Sequence, residues 1–420
     1  MRRVILFFVI LSTCGLSFGA SETVILLSWD GMRHDFLDRG DFPALKQVEQ
    51  QGIRAKKLTP VFPPNTFPGH VSLATGAKPA QHGIIDNTFY DREKGLYSYS
   101  NEAHWINAEP LWVTAERQGV KTAVYFWVGS ETDWQGVGAS YRIAPFDGRR
   151  SEAKKVDQII DWLDLPAGER PRLIMSYWQG ADTVAHVKGP DHEDVANVIA
   201  AQDKELGRLI KALNSRDLWP NTTLMIVSDH GMATVNRSVE IKTALEDAGF
   251  ALRITGGSAV QHIFLDHQDQ KNSVLSILHA LPHITVFSDE SVPAALSTLN
   301  RTGDIVVTTS APHTLTRAET LLAKIEQLLS PMLGWDKGAH GFNPATADMS
   351  AIFLAMGRGV TPGQLIPEIH QLEVAPTVAR LLGIEPPANA IRRGIQLNAM
   401  MPMQPQKSRA PIANTAIEHR

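Results

Sequence analysis

Continuous apolar runs alternate with helical patterns along most of the chain. Four runs rich in branched and aromatic residues each end near a polar residue or a glycine: 23–29 (TVILLSW), 121–128 (KTAVYFWV), 172–178 (RLIMSYW) and 222–228 (TTLMIVS). Such runs are typical of strands buried on both faces of a sheet. Residues 193–213, between the last two runs, place apolar side chains at helical spacing. The alternation predicts an α/β fold with a mostly parallel central sheet and helices on both faces.

Residues 252–330 interrupt this alternation. They contain the short strand-like segments HIFL and DIVVTT, a helix-like run around SVLSILHAL and many turn residues. We interpret the region as a small α/β insertion, after which the main fold resumes at 350–356. A single domain is therefore expected over residues 21–400. Residues 401–420 are rich in proline, glutamine and polar side chains, a composition that predicts a disordered tail.

Residues 1–20 have the layout of a secretory signal peptide. Arg2 and Arg3 precede the apolar run VILFFVIL, and small residues follow at Ser17, Gly19 and Ala20. The alternatives are a buried strand or a membrane anchor, but the run is short for a helix that spans a bilayer. We expect an exported protein, periplasmic or secreted, with no stable membrane span once the signal is removed.

Composition and charge narrow the range of partners. The chain of 420 residues is 43% hydrophobic with a formal net charge of -4, which gives no electrostatic case for a nucleic-acid polymer as partner. A small anionic substrate is compatible with this charge, since a bound metal ion can supply local positive charge. Cys14 is the only cysteine and lies in the expected leader, so no disulfide is expected in the mature chain.

Aspartate and histidine residues follow several of the predicted strands and occur in one later loop. In chain order they are Asp30, Asp182, His186, Asp229, His230 and His340. Ligands of open α/β sheets bind outside the carboxyl ends of the strands, so these side chains are expected to converge on one crevice. Both residue types bind zinc, and three of each suit two ions with open positions. Taken singly, each has an ordinary structural alternative, as a turn, a helix start or a loop histidine.

A nucleophile is expected between the first two ligand groups. The chain there reads PVFPPNTFPGHVSLATG, and Thr66 stands just before a helix-like stretch. The structural alternative is a threonine that caps the helix. The two interpretations are compatible, because a helix N-terminus also favours an anionic phosphate group.

The sequence resembles the nucleotide pyrophosphatase/phosphodiesterase family, within the alkaline phosphatase superfamily. The resemblance rests on six motifs in the family's order: WDGMR, TFPGHVSLATG, QHGIIDN, ADTVAH, SDHGM and AHGFNP. It extends from about Val24 to about Gly394. It implies an alkaline phosphatase-like fold and a two-zinc hydrolase of phosphodiester and pyrophosphate bonds. Such an enzyme releases a nucleoside 5′-monophosphate through a phosphothreonine intermediate.

The resemblance also implies roles for individual residues. It implies that one zinc ion is held by Asp30, Thr66, Asp229 and His230, and the other by Asp182, His186 and His340. Thr66 is then the nucleophile, and Asn87 is expected to form a hydrogen bond with a phosphoryl oxygen. Phe67 and Tyr177 match positions where the family places aromatic rings around a nucleotide base. The motif around Asp182 departs from the family's pattern at Ala181 and Ala185 but keeps both ligands.

Three other functions are compatible with part of this set of motifs. A phosphomonoesterase and a lysophospholipid-type phosphodiesterase are alternatives on the same scaffold. The charge balance favours diesters, because two Zn²⁺ are cancelled by three aspartates and the Thr66 alkoxide. A non-catalytic zinc-binding protein is the third alternative, against which the retention of Thr66 argues.

The exported protein is expected to begin near Ala20 or Ser21, since the small residues of a signal peptide mark its cleavage site. N-terminal sequencing of the mature protein tests this prediction. A mature chain that still begins at Met1 would contradict it.

Overall fold

The structure, a computed structural model, describes residues 22–298, 300–315 and 337–398. The predicted signal peptide, the predicted tail and the part of the predicted insertion from 316 to 330 lie outside these residues. Within the described ranges, no helix is long and apolar enough to cross a membrane.

Strands and helices alternate along the described chain. The strands are β1 (Thr23–Trp29), β2 (Gly52–Ala55), β3 (Leu58–Thr59), β4 (Thr88–Asp91), β5 (Gly95–Ser98), β6 (Thr122–Tyr125), β7 (Tyr141–Ile143), β8 (Leu173–Trp178), β9 (Thr222–Val227), β10 (Ala233–Thr234), β11 (Arg237–Val239), β12 (Arg253–Gly256), β13 (Val260–Phe264), β14 (Ile284–Ser288), β15 (Ile305–Thr309), β16 (His313–Leu315), β17 (Gly338–Ala339), β18 (Phe353–Gly357), β19 (Gln364–Ile366) and β20 (Ile369–His370). The α-helices are α1 (Pro43–Gln50), α2 (Thr66–Thr75), α3 (Pro79–His82), α4 (Leu111–Arg117), α5 (Glu152–Leu163), α6 (Asp182–Lys188), α7 (Glu193–Ser215), α8 (Ile241–Asp247), α9 (Lys271–Ala280) and α10 (Val374–Leu382).

An eight-stranded sheet forms the centre of the fold, in the order β19-β2-β18-β9-β1-β8-β6-β7. Its neighbouring strands run parallel except where β18 pairs antiparallel with β2 and β9. The prediction of a mostly parallel sheet is therefore confirmed. The central strand β1 lies between β8 and β9, and the carboxyl ends of all three strands point the same way.

Helices cover both faces of this sheet, and the apolar strands fit that position. On β1, Val24 and Leu26 face the core shared with α2, α4 and α10. Ile25, Leu27 and Trp29 face the other core, shared with α1, α5 and α7. All five side chains are fully buried. Each contributes roughly 1.5–3 kcal/mol relative to an exposed position, which explains why the run contains no polar side chain between Thr23 and Ser28.

The predicted strand at 121–128 is shorter in the structure. Strand β6 ends at Tyr125, because Phe126 adopts a positive φ of 61° that the regular extended backbone does not allow. Trp127 and Val128 are buried beyond the strand instead of within it. The apolar run in the sequence continues to Val128 and therefore does not show where the hydrogen bonding between strands ends.

The insertion forms a separate four-stranded antiparallel sheet, in the order β12-β13-β15-β14. The segments HIFL and DIVVTT correspond to β13 and β15 except for Leu265 and Asp304, which lie just outside the strands, and the helix-like run corresponds to α9. Its own apolar cluster includes Ile263 and Ile305 from the sheet and Val274 and Leu278 from α9. The bounds 252–330 for this insertion stay a prediction.

Candidate active site

Three aspartates meet at the carboxyl ends of the neighbouring strands β8, β1 and β9. Asp30 directly follows β1, Asp182 begins α6 after β8, and Asp229 lies two residues after β9. Each has a buried carboxylate oxygen without a hydrogen-bond partner: Asp30 Oδ1, Asp182 Oδ1 and Asp229 Oδ2. Buried anionic oxygens are costly unless a cation compensates them.

The surroundings of the aspartates act on their protonation in opposite directions. Burial, followed by the charges of Asp229 and Asp182, raises the pKa of Asp30 well above its usual value. Burial also raises the pKa of Asp182, but the neighbouring His186 and His340 outweigh it and lower that pKa overall. Without a cation, the site therefore favours a protonated Asp30 beside an ionised Asp182.

The histidines complete two groups of potential ligand atoms. In each group, atoms of three residues lie within 4.8 Å of one another: Asp30, Asp229 and His230 in the first, and Asp182, His230 and His340 in the second. His186 joins the second group through Asp182, because its Nε2 lies 3.3 Å from Asp182 Oδ1. The structure thus brings together all six expected ligands, with His230 between the two groups.

Each histidine is oriented by its other ring nitrogen. The Nδ1 atoms donate to backbone carbonyl oxygens: His186 to Gly338 at 2.8 Å, His230 to Gly231 at 2.9 Å and His340 to Pro64 at 3.0 Å. A proton on Nδ1 leaves the lone pair on Nε2, the atom that faces the aspartates. This tautomer is the one that binds a metal ion. The donor set and the unpartnered oxygens therefore fit divalent cations such as zinc.

Two glycines allow the strand ends to come this close. Gly180 has a φ of 58°, and a Cβ atom there would lie 1.8 Å from the backbone oxygen of Asp30. Gly31 has a φ of 66°, and its Cβ would lie 2.8 Å from Asp182 Cα. A side chain at either position would push the loops after β1 and β8 apart.

Thr66 lies at the edge of the first ligand group. It is the first residue of α2, and the N-cap position belongs to Asn65, so Thr66 does not cap the helix. Its Oγ1 lies 3.3 Å from His230 Nε2. The backbone N–H of Phe67 donates to Asn87 Oδ1 at 2.8 Å, which leaves the amide NH₂ of Asn87 as the group that can donate to a substrate oxygen.

The two aromatic residues expected around a base are placed differently from one another. Phe67 is 8% exposed and contacts Tyr97 and Tyr99 edge-on. The Tyr177 hydroxyl donates to Asp30 Oδ2 at 2.7 Å, so this side chain supports a candidate metal ligand. Burial and the charge of Asp30 raise the pKa of Tyr177 and keep its proton in that hydrogen bond.

Two further residues belong to the site and were not identified from the sequence. Phe146 is 42% exposed, and its ring lies 5.9 Å from that of Tyr177. It follows a proline in an irregular segment, where no spacing distinguishes it. His70 is fully buried in α2 and donates from Nδ1 to the backbone oxygen of Thr66 at 2.8 Å. Its position four residues after Thr66 in a helix was a usable signal.

The family model of type I phosphodiesterase/nucleotide pyrophosphatase matches residues 24–343. The chain belongs to this family. Its relatives are named phosphodiesterases and pyrophosphatases, which confirms the prediction of a phosphoric-ester hydrolase in the alkaline phosphatase superfamily.

Three relatives of this phosphodiesterase family illustrate the match. An uncharacterized pyrophosphatase/phosphodiesterase of Schizosaccharomyces pombe is 30% identical over 80% of this chain and 71% of its own length. Venom phosphodiesterase 2 of Crotalus adamanteus is 28% identical over 87% of this chain and 46% of its own length. The bis(5′-adenosyl)-triphosphatase of Xenopus laevis is 27% identical over 87% of this chain and 78% of its own length. The chain thus spans less than half of the venom enzyme.

Solved structures of the family have the same fold. The murine ectonucleotide pyrophosphatase/phosphodiesterase 5 superimposes with a TM-score of 0.79 at 25% identity, covering 89% of this chain and 97% of that one. The human protein of the same name gives a TM-score of 0.79 at 27% identity, covering 87% and 96%. The likeness confirms the predicted α/β architecture with its central sheet.

Removal of metal is expected to destabilise this phosphodiesterase family member, and the loss of stability should grow as the pH rises. Because the pKa of Asp30 is raised in the fold, the metal-free fold loses stability as the pH rises through that pKa and regains it as the pH falls. Bound metal removes this loss and also favours the folded state directly. Calorimetry with and without chelator over a series of pH values should show a Tm loss that is largest at the alkaline end. Equal Tm values with and without chelator at every pH would count against a metal site here.

Proposed function

We propose that this chain is a two-zinc hydrolase of phosphodiester and pyrophosphate bonds, with Thr66 as the nucleophile. The observation that carries the proposal is the position of the Thr66 hydroxyl, 3.3 Å from Nε2 of His230, the residue that belongs to both ligand groups. A hydroxyl needs activation to attack phosphorus, and this donor set suits the ions that provide it.

The ligands divide into two sets in this proposal. Asp30, Asp229 and His230 hold one zinc ion next to Thr66, and Asp182, His186 and His340 hold the other. When bound, the ions stabilise the deprotonated hydroxyl and the negative charge that develops on the phosphoryl oxygens. His230 lies within reach of both groups, and the proposal assigns it to the ion beside Thr66.

Thr66 and its neighbours carry out the bond changes. Oγ1 forms a bond to phosphorus while the bond from phosphorus to the leaving oxygen breaks, and the proton that Oγ1 loses passes through water to the leaving oxygen. Phosphothreonine and an alcohol or nucleotide result. Water then cleaves the phosphothreonine, which restores the hydroxyl and releases the phosphorylated product. The Asn87 amide, oriented by the Phe67 N–H, donates a hydrogen bond to a phosphoryl oxygen in both steps.

The charge of the site favours a diester over a monoester. Among the described residues, no Lys or Arg forms an ion pair with Asp30, Asp182 or Asp229. Two Zn²⁺ are then balanced by three aspartates and the Thr66 alkoxide, which leaves a nearly neutral site. A dianionic monoester usually needs additional cationic groups, whereas a monoanionic diester does not.

A nucleoside is the proposed organic group of the substrate, and a nucleoside 5′-monophosphate is the proposed product. Murine ectonucleotide pyrophosphatase/phosphodiesterase 5 has been solved with AMP bound to an inactive threonine-to-alanine variant. Phe67 directly follows the proposed nucleophile Thr66. The exposed ring of Phe146 lies 5.9 Å from the ring of Tyr177. We assign base stacking to Phe67 and Phe146, and positioning of Asp30 to Tyr177.

We propose export as the location of this activity. The signal-like layout of residues 1–20 and the relationship to venom phosphodiesterases support it.

Thr66→Ala is expected to lower turnover of a nucleotide diester by more than about 10³-fold, because no hydroxyl remains to attack. Zinc content and Tm should stay close to those of the wild type, while Thr66→Ser should keep measurable turnover. Rates measured with a nucleoside p-nitrophenyl ester test this directly. Wild-type rates in Thr66→Ala would mean that water attacks phosphorus without a threonine intermediate.

Phe146→Ala is expected to raise KM for nucleoside substrates by roughly ten- to a hundredfold, since stacking contributes about 1–3 kcal/mol per base. The rate on p-nitrophenyl phenylphosphonate, which has no base, should stay unchanged. Leu365→Ala is the matched control, because Leu365 is 54% exposed on the edge strand β19. An equal loss on both substrates would mean that Phe146 only supports the loop.

A further inference from the structure

A chain of hydrogen bonds leads from His340 to a buried carboxylate outside the ligand groups. His340 Nδ1 donates to Asn65 Oδ1 at 2.8 Å, and Asn65 Nδ2 donates to Asp86 Oδ1 at 2.9 Å. Asp86 is fully buried, and it lies in the motif QHGIIDN just before Asn87. The metal ligand set described above does not use it.

Asp86 also accepts hydrogen bonds from two other segments. The backbone N–H of Asn87 donates to Oδ1 at 2.6 Å, and that of Gly257 donates to Oδ2 at 3.2 Å. Gly257 lies in the turn between β12 and β13, so Asp86 connects the insertion to the active site. Each carboxylate oxygen of Asp86 therefore accepts at least one N–H hydrogen bond.

The hydrogen bonds of Asp86 lead to residues on both sides of Thr66. Asn65 directly precedes Thr66, and Asn87 accepts the N–H of Phe67, which directly follows it. The loop after His340 closes tightly on Asn65, since a Cβ atom at Gly341 would lie 2.7 Å from Asn65 Oδ1. Movement of Asp86 would therefore reach the His340 ring and both neighbours of Thr66.

We propose that Asp86 is a positioning residue for the zinc site that contains His340, a proposal that rests on the proposed two-zinc function. The Asp86 carboxylate accepts from the Asn65 NH₂ group and so holds the Asn65 amide with its oxygen facing His340 Nδ1. The His340 Nδ1–H is shared between Asn65 Oδ1 at 2.8 Å and the Pro64 carbonyl oxygen at 3.0 Å, and Asn65 as the nearer acceptor helps to fix that proton and to direct the Nε2 lone pair toward Asp182. The contact to Gly257 makes the insertion part of this support. Loss of comparable supporting residues weakens metal binding by about 10- to 100-fold.

Zinc affinity, measured by competition with a chromophoric chelator, tests the proposal without relying on turnover. We expect Asp86→Ala to weaken one of the two zinc ions by about 10- to 100-fold and the other by less than about threefold. In the His186→Ala background, which removes a ligand of the affected site, Asp86→Ala should leave the affinity of the remaining ion unchanged.

Asp91 provides the matched control. It is 3% exposed and bonds to Arg301 at 2.8 Å, in the same segment of the chain but away from the ligand groups. Asp91→Asn should lower Tm and leave both zinc affinities as they are. Asp86→Asn keeps an Oδ1 acceptor for Asn65 but presents an NH₂ group to the Gly257 N–H. It should retain the fold and lose less zinc affinity than Asp86→Ala.

The hydrogen bond between Asn65 and Asp86 also predicts how Asn65 variants change the zinc affinity. Asn65→Ala should weaken the same zinc ion, and the double variant should lose little more than either single variant, because both act through one route. Equal weakening of both ions by Asp86→Ala, or no weakening of either in a folded variant, would overturn the positioning role. A wild-type chain that binds no zinc would instead refute the proposed function itself.

Discussion

Three carboxylates from adjacent parallel strands converge at one edge of the sheet, and their mutual repulsion is the constraint on which the site depends. The pairing of β1 with β8 and β9 fixes where Asp30, Asp182 and Asp229 emerge. One oxygen of each is buried without a hydrogen bond, and the Nε2 atoms of His186 and His230 lie 3.2–3.4 Å from these oxygens. The sheet thereby holds together a cluster of carboxylates and histidines that a bound cation would stabilise.

The rest of the site is arranged so that this cation can be bound. The histidines turn Nε2 toward the carboxylates because carbonyl oxygens hold their Nδ1 protons. Tyr177 donates to the second oxygen of Asp30, and glycines at 31 and 180 let the loops approach. In the proposed reaction, the bound cation would take the place of a general base for Thr66. Its position at the start of α2, between Asn65 and Phe67, brings its hydroxyl to the same cluster.

The sequence was sufficient for the features that depend on local pattern. Buried strands appear as continuous apolar runs, and the rule that ligands lie at carboxyl ends identified all six Asp and His residues that the structure brings together. Features that depend on contacts between distant segments were not accessible. No spacing relates Phe146 to Tyr177, and the hydrogen bond between Asp86 and Gly257 joins residues 171 positions apart. The resemblance to the family implies that Tyr177 lies beside a base, but the direction of its hydroxyl toward Asp30 depends on the paired strands and could not be predicted from the sequence.

Anomalous diffraction at the zinc absorption edge, from crystals grown with Zn²⁺, tests the central claim most directly. The account predicts two peaks in each molecule, one among Asp30, Asp229 and His230 near Thr66 Oγ1, and one among Asp182, His186 and His340. A single peak, or peaks that leave any of the three carboxylates without a metal contact, would contradict it.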